Sequence, residues 1–155
     1  MSAEPPEPRR MDTSELDGAV GLWLRLAQQQ SARQFGQAFE GTGVGQVPFA
    51  ILTAIAANPG CRQADLGAVL RIRQPNLVEP IEALIARGLV ARRPDPRDRR
   101  AQTLALTPEG EAEVGRLLER HRRLLAGYRE RLGAEDYDRL IALLRRFVAA
   151  AGGPY

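Results

Sequence analysis

Apolar residues recur at helical spacing along most of the chain. Leu16, Val20, Trp23 and Ala27 lie on one face and Leu22 and Leu26 on another, which predicts a helix from Thr13 or Ser14, as N-cap, towards Phe39. Gly41, Gly43 and Gly45 interrupt the pattern before a compact helix with Phe49, Leu52, Ile55 and Ala56, which Asn58-Pro59-Gly60 ends. A short helix is expected from about Gln63 to Leu70, with Leu66, Val69 and Leu70 inward. After a brief polar turn a further helix reaches Arg87. Its stripe is Leu77, Ile81, Leu84 and Ile85, and Gly88 is placed to close it in the left-handed conformation. Pro80 falls inside this helix, removing the amide that the Asn76 carbonyl would accept from, and predicts a kink.

Leu89 to Arg93 and Thr103 to Leu106 read as two short strands joined by residues 94–100. Helix, turn, helix, hairpin is the order of a winged helix-turn-helix. Thr107-Pro108-Glu109 supplies an N-cap, a proline at the first helical position and an acid in the first turn. The helix that follows carries Val114, Leu117, Leu118, Leu124, Leu125 and Tyr128. The last, after Gly133, carries Tyr137, Leu140, Ile141, Leu144, Phe147, Val148 and Ala151. Such spacing suits helices packed along each other, and terminal helices with little else to cover them predict a homodimer. Leu16, Val20, Leu140, Leu144, Phe147 and Val148 are the expected interface. The fold class is therefore mainly α, a winged helix-turn-helix with a two-stranded β-hairpin wing and N- and C-terminal dimerisation helices. One domain is expected over 13–151, with 13–39 and 107–151 for dimerisation and 47–106 as the DNA-binding lobe. Residues 1–12, rich in Pro and charge, and 152–155 have little to bury and are expected to be disordered.

Charge sharpens this picture. The 22 basic residues are all Arg and 19 residues are acidic, a net charge of only +3 over 155 residues. Residues 71–100, however, hold eight Arg against four acids, as a nucleic-acid-binding patch would. Cys61 stands alone, so no intramolecular disulfide forms, and no Cys or His cluster has zinc spacing. The nearly apolar run Val47 to Ala57 is too short to span a bilayer, and no signal-peptide stretch is present. The expectation is a cytoplasmic protein without membrane partners.

The chemistry concentrates in the two-helix unit and the hairpin. Gln74 and Asn76, at the start of the second helix, suit adenine edges in the major groove, while Arg71 and Arg73 in the turn suit phosphate or guanine. Arg97, Arg99 and Arg100 suit a narrow, electronegative minor groove. The alternative for the hairpin is a solvated charge run. His121 lies on an apolar stripe between Leu117 and Leu125, which favours a packed residue over a ligand. With that one histidine no Ser-His-Asp or Cys-His pairing, metal cluster or phosphate loop can be assembled, so neither enzymatic activity nor a cofactor or metal is expected.

The run from Gly88-Leu89-Val90 through Asp98-Arg99-Arg100 to Leu106-Thr107-Pro108-Glu109-Gly110 resembles the wing and following helix of the MarR family of ligand-responsive regulators. Residues 47–110 carry the resemblance, and the flanking helices extend it over roughly 13–151. It implies a dimeric regulator, usually a repressor, bound to a pseudo-palindromic duplex operator and released by a small, often aromatic or acidic, effector. It also implies that Asp98 and Arg100 match the family's Asp-x-Arg, in which the acid steadies an arginine that reaches the minor groove. Trp23 and Phe49 fall where the family holds effectors, with core packing as the equal alternative. Cys61 does not match the reactive cysteine of the peroxide-sensing branch, which lies near the first helix, and reads as a structural thiol. A winged-helix protein-interaction module without ligand switching is the other functional class; a neutral or acidic wing would have favoured it.

Overall fold

A computed structural model describes residues 12, 14–96, 98 and 100–150. Thr13, Arg97, Arg99, Ala151, nearly all of the segment 1–12 and the tail 152–155 lie outside the described residues, and with them the expectations placed there. Seven α-helices and one two-stranded antiparallel sheet are found among the described residues. They fall into two compact units, one ending at Arg33 and the other beginning at Gln34.

In the first unit, the long helix expected from Thr13 or Ser14 is interrupted. A single turn, α1 (Ser14–Asp17), ends at Gly18, and α2 (Val20–Ala38) starts afresh and continues into the second unit. Glycine contributes little to helix propagation, and the Trp23 indole N–H donates to the Asp17 carbonyl at 2.8 Å, taking an acceptor that a continuous helix would have used. The Asp12 carboxylate accepts the Ser14 amide at 2.9 Å and so caps α1, which holds that carboxyl below its usual range.

The second unit contains the core. Phe35 of α2 and Phe39, just after its end, stack their rings 3.9 Å apart, and Phe49 of α3 (Gln46–Ala57) meets Phe39 edge-on at 5.1 Å. Ile51, Leu52 and Ile55 of α3 are fully buried, as are Leu77 and Ile81 of α5 (Gln74–Ala86). Each such side chain contributes about 1.5 to 3 kcal/mol through its removal from water. α4 (Gln63–Leu70) adds Leu66. Val69, expected inward, is 69% exposed, and Gly67 is buried instead. The inward face is centred on Leu66, Gly67 and Leu70, so Val69 falls on its flank.

Strands β1 (Val90–Pro94) and β2 (Gln102–Leu106) pair antiparallel, with Val90 opposite Leu106 and Pro94 opposite Gln102. Cys61 adds a bridge on the other edge of β2. The Leu104 amide donates to the Cys61 carbonyl at 2.8 Å, and the Gly60 amide to the Leu104 carbonyl at 3.0 Å. Gly88 closes α5 with φ 71°, as expected.

Thr107 then starts α6 (Pro108–Leu132). Its hydroxyl accepts the Gly110 amide at 3.0 Å and donates to the Gly88 carbonyl at 2.6 Å. A Cβ on Gly110 would stand 2.0 Å from the Leu89 carbonyl oxygen, so this position admits no side chain. Thr-Pro-Glu-Gly is thus the joint that locks the hairpin to α6. Helix α7 (Ala134–Ala150) lies against α6, held by Arg129, whose two terminal nitrogens each meet one Asp138 oxygen at 2.7 Å. Among the described residues no helix is long and apolar enough to cross a membrane.

Candidate nucleic-acid interface

Helices α4 and α5 meet through a residue that cannot carry a side chain without displacing a neighbour. Gly67 would place a Cβ 2.3 Å from Gln74 Nε2 and 3.0 Å from the Ile72 carbonyl oxygen. Its absence lets the first residue of α5 fold back on α4, where Gln74 Nε2 donates to the Gln63 carbonyl at 3.2 Å. The Gly67 carbonyl accepts the Arg71 amide, and the Ile72 amide at 3.0 Å. Arg71 closes α4 with φ 53° and ψ 42°, the left-handed region that favours glycine.

Arg73 is the N-cap of α5 and Pro75 its second residue. Leu77, Ile81 and Leu84 point into the core, with Ile85 packed beside them. Arg71, Arg73, Gln74 and Asn76 are all exposed around this start. The helix runs on through Pro80 to Ala86. Of the two side chains expected to read bases, Gln74 is thus already engaged with α4, while Asn76 is exposed and has only its main chain bound locally, its amide donating to the Arg73 carbonyl at 2.9 Å.

In the hairpin loop, Asp98 Oδ1 accepts the amide of Arg100 at 3.0 Å, and the Ala101 amide donates to the Asp98 carbonyl at 2.9 Å. The acid of Asp-x-Arg therefore steadies its arginine through the backbone, and the Arg100 side chain is exposed. Arg97 and Arg99 lie outside the described residues. At the base of the hairpin, Arg92 Nη2 meets Glu82 of α5 at 2.5 Å, linking the two elements.

Two residues that the sequence did not single out complete this region. Asp95 is 7% exposed, and its Oδ2 accepts from Arg62 Nε at 2.8 Å and Nη2 at 2.5 Å. This contact raises the guanidinium's affinity for its proton. Arg62 is the N-cap of α4, a position where Ser, Thr, Asp or Asn would bind the free amides and Arg cannot. The capping is done in reverse, with Asp65 accepting the Arg62 amide at 2.8 Å. An arginine where a capping residue is expected was the signal available.

The remaining candidates are placed individually. In the first unit Trp23 is 56% exposed. In the second, Phe49 is buried in the phenylalanine cluster and lies 4.8 Å from the His121 ring, which is partly buried, so the charged imidazolium is disfavoured and its pKa is lowered. Burial raises the Cys61 thiol, with Asp65 adding to the effect, which disfavours the thiolate. Leu16, Val20, Leu140, Phe147 and Val148 are exposed in the single chain and Leu144 is half-buried.

Known transcriptional regulators share this fold. A family model described as the MarR family matches residues 42–101. A putative transcriptional regulatory protein for the hcr operon of Thauera aromatica is 31% identical over 146 residues, 90% of this chain and 88% of that protein. The transcriptional repressor CouR bound to a 23-mer DNA duplex superposes with a TM-score of 0.85 at 30% identity, covering 90% of this chain and 99% of that one. CouR bound to p-coumaroyl-CoA gives 0.81 at 28% identity, with 90% and 98% covered. The PcaV regulator of Streptomyces coelicolor in complex with its natural ligand also gives 0.81, at 26% identity, with 94% and 100% covered.

Proposed function

The chain belongs to the MarR family of DNA-binding transcriptional regulators, and from that premise we propose that it is a homodimeric repressor released from a pseudo-palindromic operator by a small aromatic or acidic effector. One observation carries the DNA contact. At the start of α5, Arg71, Arg73 and Asn76 are exposed, while the stripe that follows fixes the helix in the core. In the proposed complex Asn76 reads a base edge in the major groove, Arg71 and Arg73 meet phosphate or guanine, and Gln74 holds α5 against α4. The hairpin reaches the adjacent minor groove with Arg100, whose backbone Asp98 steadies, and with Arg97 and Arg99.

The dimer is supported by α7, which buries none of its residues within one chain. The effector is supported by the relatives: CouR has been seen with DNA and with p-coumaroyl-CoA, and PcaV with its natural ligand. Of the two aromatic candidates, Trp23 is exposed and could meet an aromatic ring, whereas Phe49 is taken up in the phenylalanine cluster.

A gel-shift assay with the DNA upstream of the protein's own gene, repeated with aromatic acids and their coenzyme A thioesters, tests the whole reading. The expected result is a shift that survives unrelated competitor duplex and is undone by a member of the panel. A shift abolished equally by any duplex would remove the operator, and one untouched by every compound would remove this effector class.

A further inference from the structure

Arg62 sits where the two DNA-contacting elements come together. It immediately precedes Gln63, whose carbonyl is bound by Gln74 at the start of α5, and its own guanidinium is bound to Asp95 at the base of the hairpin loop. The side chain of Asp95 is 8% exposed and that of Arg62 45%, so the carboxylate lies beneath and the guanidinium above it, towards solvent. Nε and Nη2 both bind one carboxylate oxygen, which leaves Nη1 unused in that contact.

A duplex read by α5 in its major groove and by the hairpin in the neighbouring minor groove must pass a sugar-phosphate strand between the two. We propose that Arg62, oriented from beneath by Asp95, is a contact for one backbone phosphate on that strand. The inference rests on the DNA-binding reading above. It also explains the residue type: an arginine is a poor N-cap for α4, yet a planar fork can satisfy Asp95 on one edge and a phosphate on the other. Asp65 and Asp98 also stand close enough to act on the guanidinium, so excess positive charge is not what recommends this position. Orientation is.

That distinction gives the test its sign. Asp95→Asn removes a negative charge from the interface, and by charge alone should tighten binding; if Asp95 aims Arg62, binding weakens. The direct experiment uses the full-length protein and the operator duplex found upstream of its gene, with single phosphates replaced in turn by neutral methylphosphonates. For the wild type, neutralising one phosphate per half-site, on the strand between the α5 and hairpin contacts, should cost roughly tenfold in affinity, as loss of a charge-assisted hydrogen bond does. Arg62→Ala and Arg62→Gln should each bind the unmodified duplex roughly tenfold more weakly and be indifferent to that substitution. Their salt slope should fall by about 0.9 per protomer.

If Arg62 serves only to brace the hairpin, both variants will respond to every methylphosphonate as the wild type does, and the proposal is overturned. Tighter binding by Asp95→Asn, with its melting temperature unchanged, overturns the orienting role. An Asn76→Ala control separates the layers. If it retains full base discrimination, the underlying placement of α5 in the groove has failed; if it loses discrimination while Arg62 variants behave as wild type, only the phosphate contact has failed.

Discussion

At the residue scale, Arg71 occupies a backbone conformation that costs an ordinary side chain about 1 to 2 kcal/mol and glycine almost nothing. The turn would therefore be easier to build with glycine, and what arginine adds is an exposed cation beside the start of α5. Arg71→Gly is expected to leave stability unchanged or raise it by up to about 1 kcal/mol, the relief of strain being partly offset by the freer unfolded chain. DNA affinity should fall, and the salt slope with it, by about 0.9 per protomer. Thermal melting alongside fluorescence titration at several salt concentrations decides the matter. A destabilised variant with wild-type DNA affinity would assign Arg71 to the fold alone. The contrast with Thr107 shows which residues were legible in sequence. Thr107, Pro108 and Gly110 act on neighbours within one turn, so their roles could be read from order. Arg62 and Asp95 meet across 33 residues of chain, and nothing local in either segment announces the partner.

At the element scale, the two-helix unit separates a residue that holds the helices together from one that is free to read. Gln74 is tied to Gln63 over Gly67, whereas Asn76, two residues on, is exposed beyond the buried stripe of α5. Asn76→Ala is expected to lose about 1 to 3 kcal/mol of discrimination per half-site at one symmetric pair of operator positions, with non-specific binding nearly constant. Gln74→Ala should instead loosen the helix pair and weaken binding to every sequence alike. Competitive binding to a library of single-base operator variants distinguishes them, and exchanged profiles would reverse the two assignments. The stripe that orients α5 was visible in the sequence because Leu77, Ile81 and Leu84 repeat at helical spacing. The inward face of α4 was misjudged for a physical reason: Gly67 is buried for its lack of a side chain, a role that apolar periodicity does not register. The break at Gly18 was missed because the apolar pattern continues across it, and a side-chain donor from Trp23 is what makes the interruption stable.

At the scale of the whole molecule, the question is what covers α7. The helix has 17 residues and buries none of them, while Leu140, Leu143, Phe147 and Val148 stand 42%, 50%, 46% and 47% exposed. Leu144 lies among them, so the stripe continues through more than two turns. These side chains are already about half covered, so a second copy would recover roughly half of the 1.5 to 3 kcal/mol that complete burial gives each, which over the whole stripe favours association. Replacing Leu144 and Phe147 with Glu would place two charges in that seam, where burial without a partner is costly. The core of the second unit draws on α2, α3, α4, α5, the hairpin and α6, not on α7, so the variant should keep its helical circular dichroism and sediment as a monomer. Its affinity for the two-site operator should then collapse towards that of a single half-site, because the second lobe is no longer delivered by the first. A variant that still sediments as a dimer and binds the operator with wild-type affinity would show that α7 does not hold two copies together.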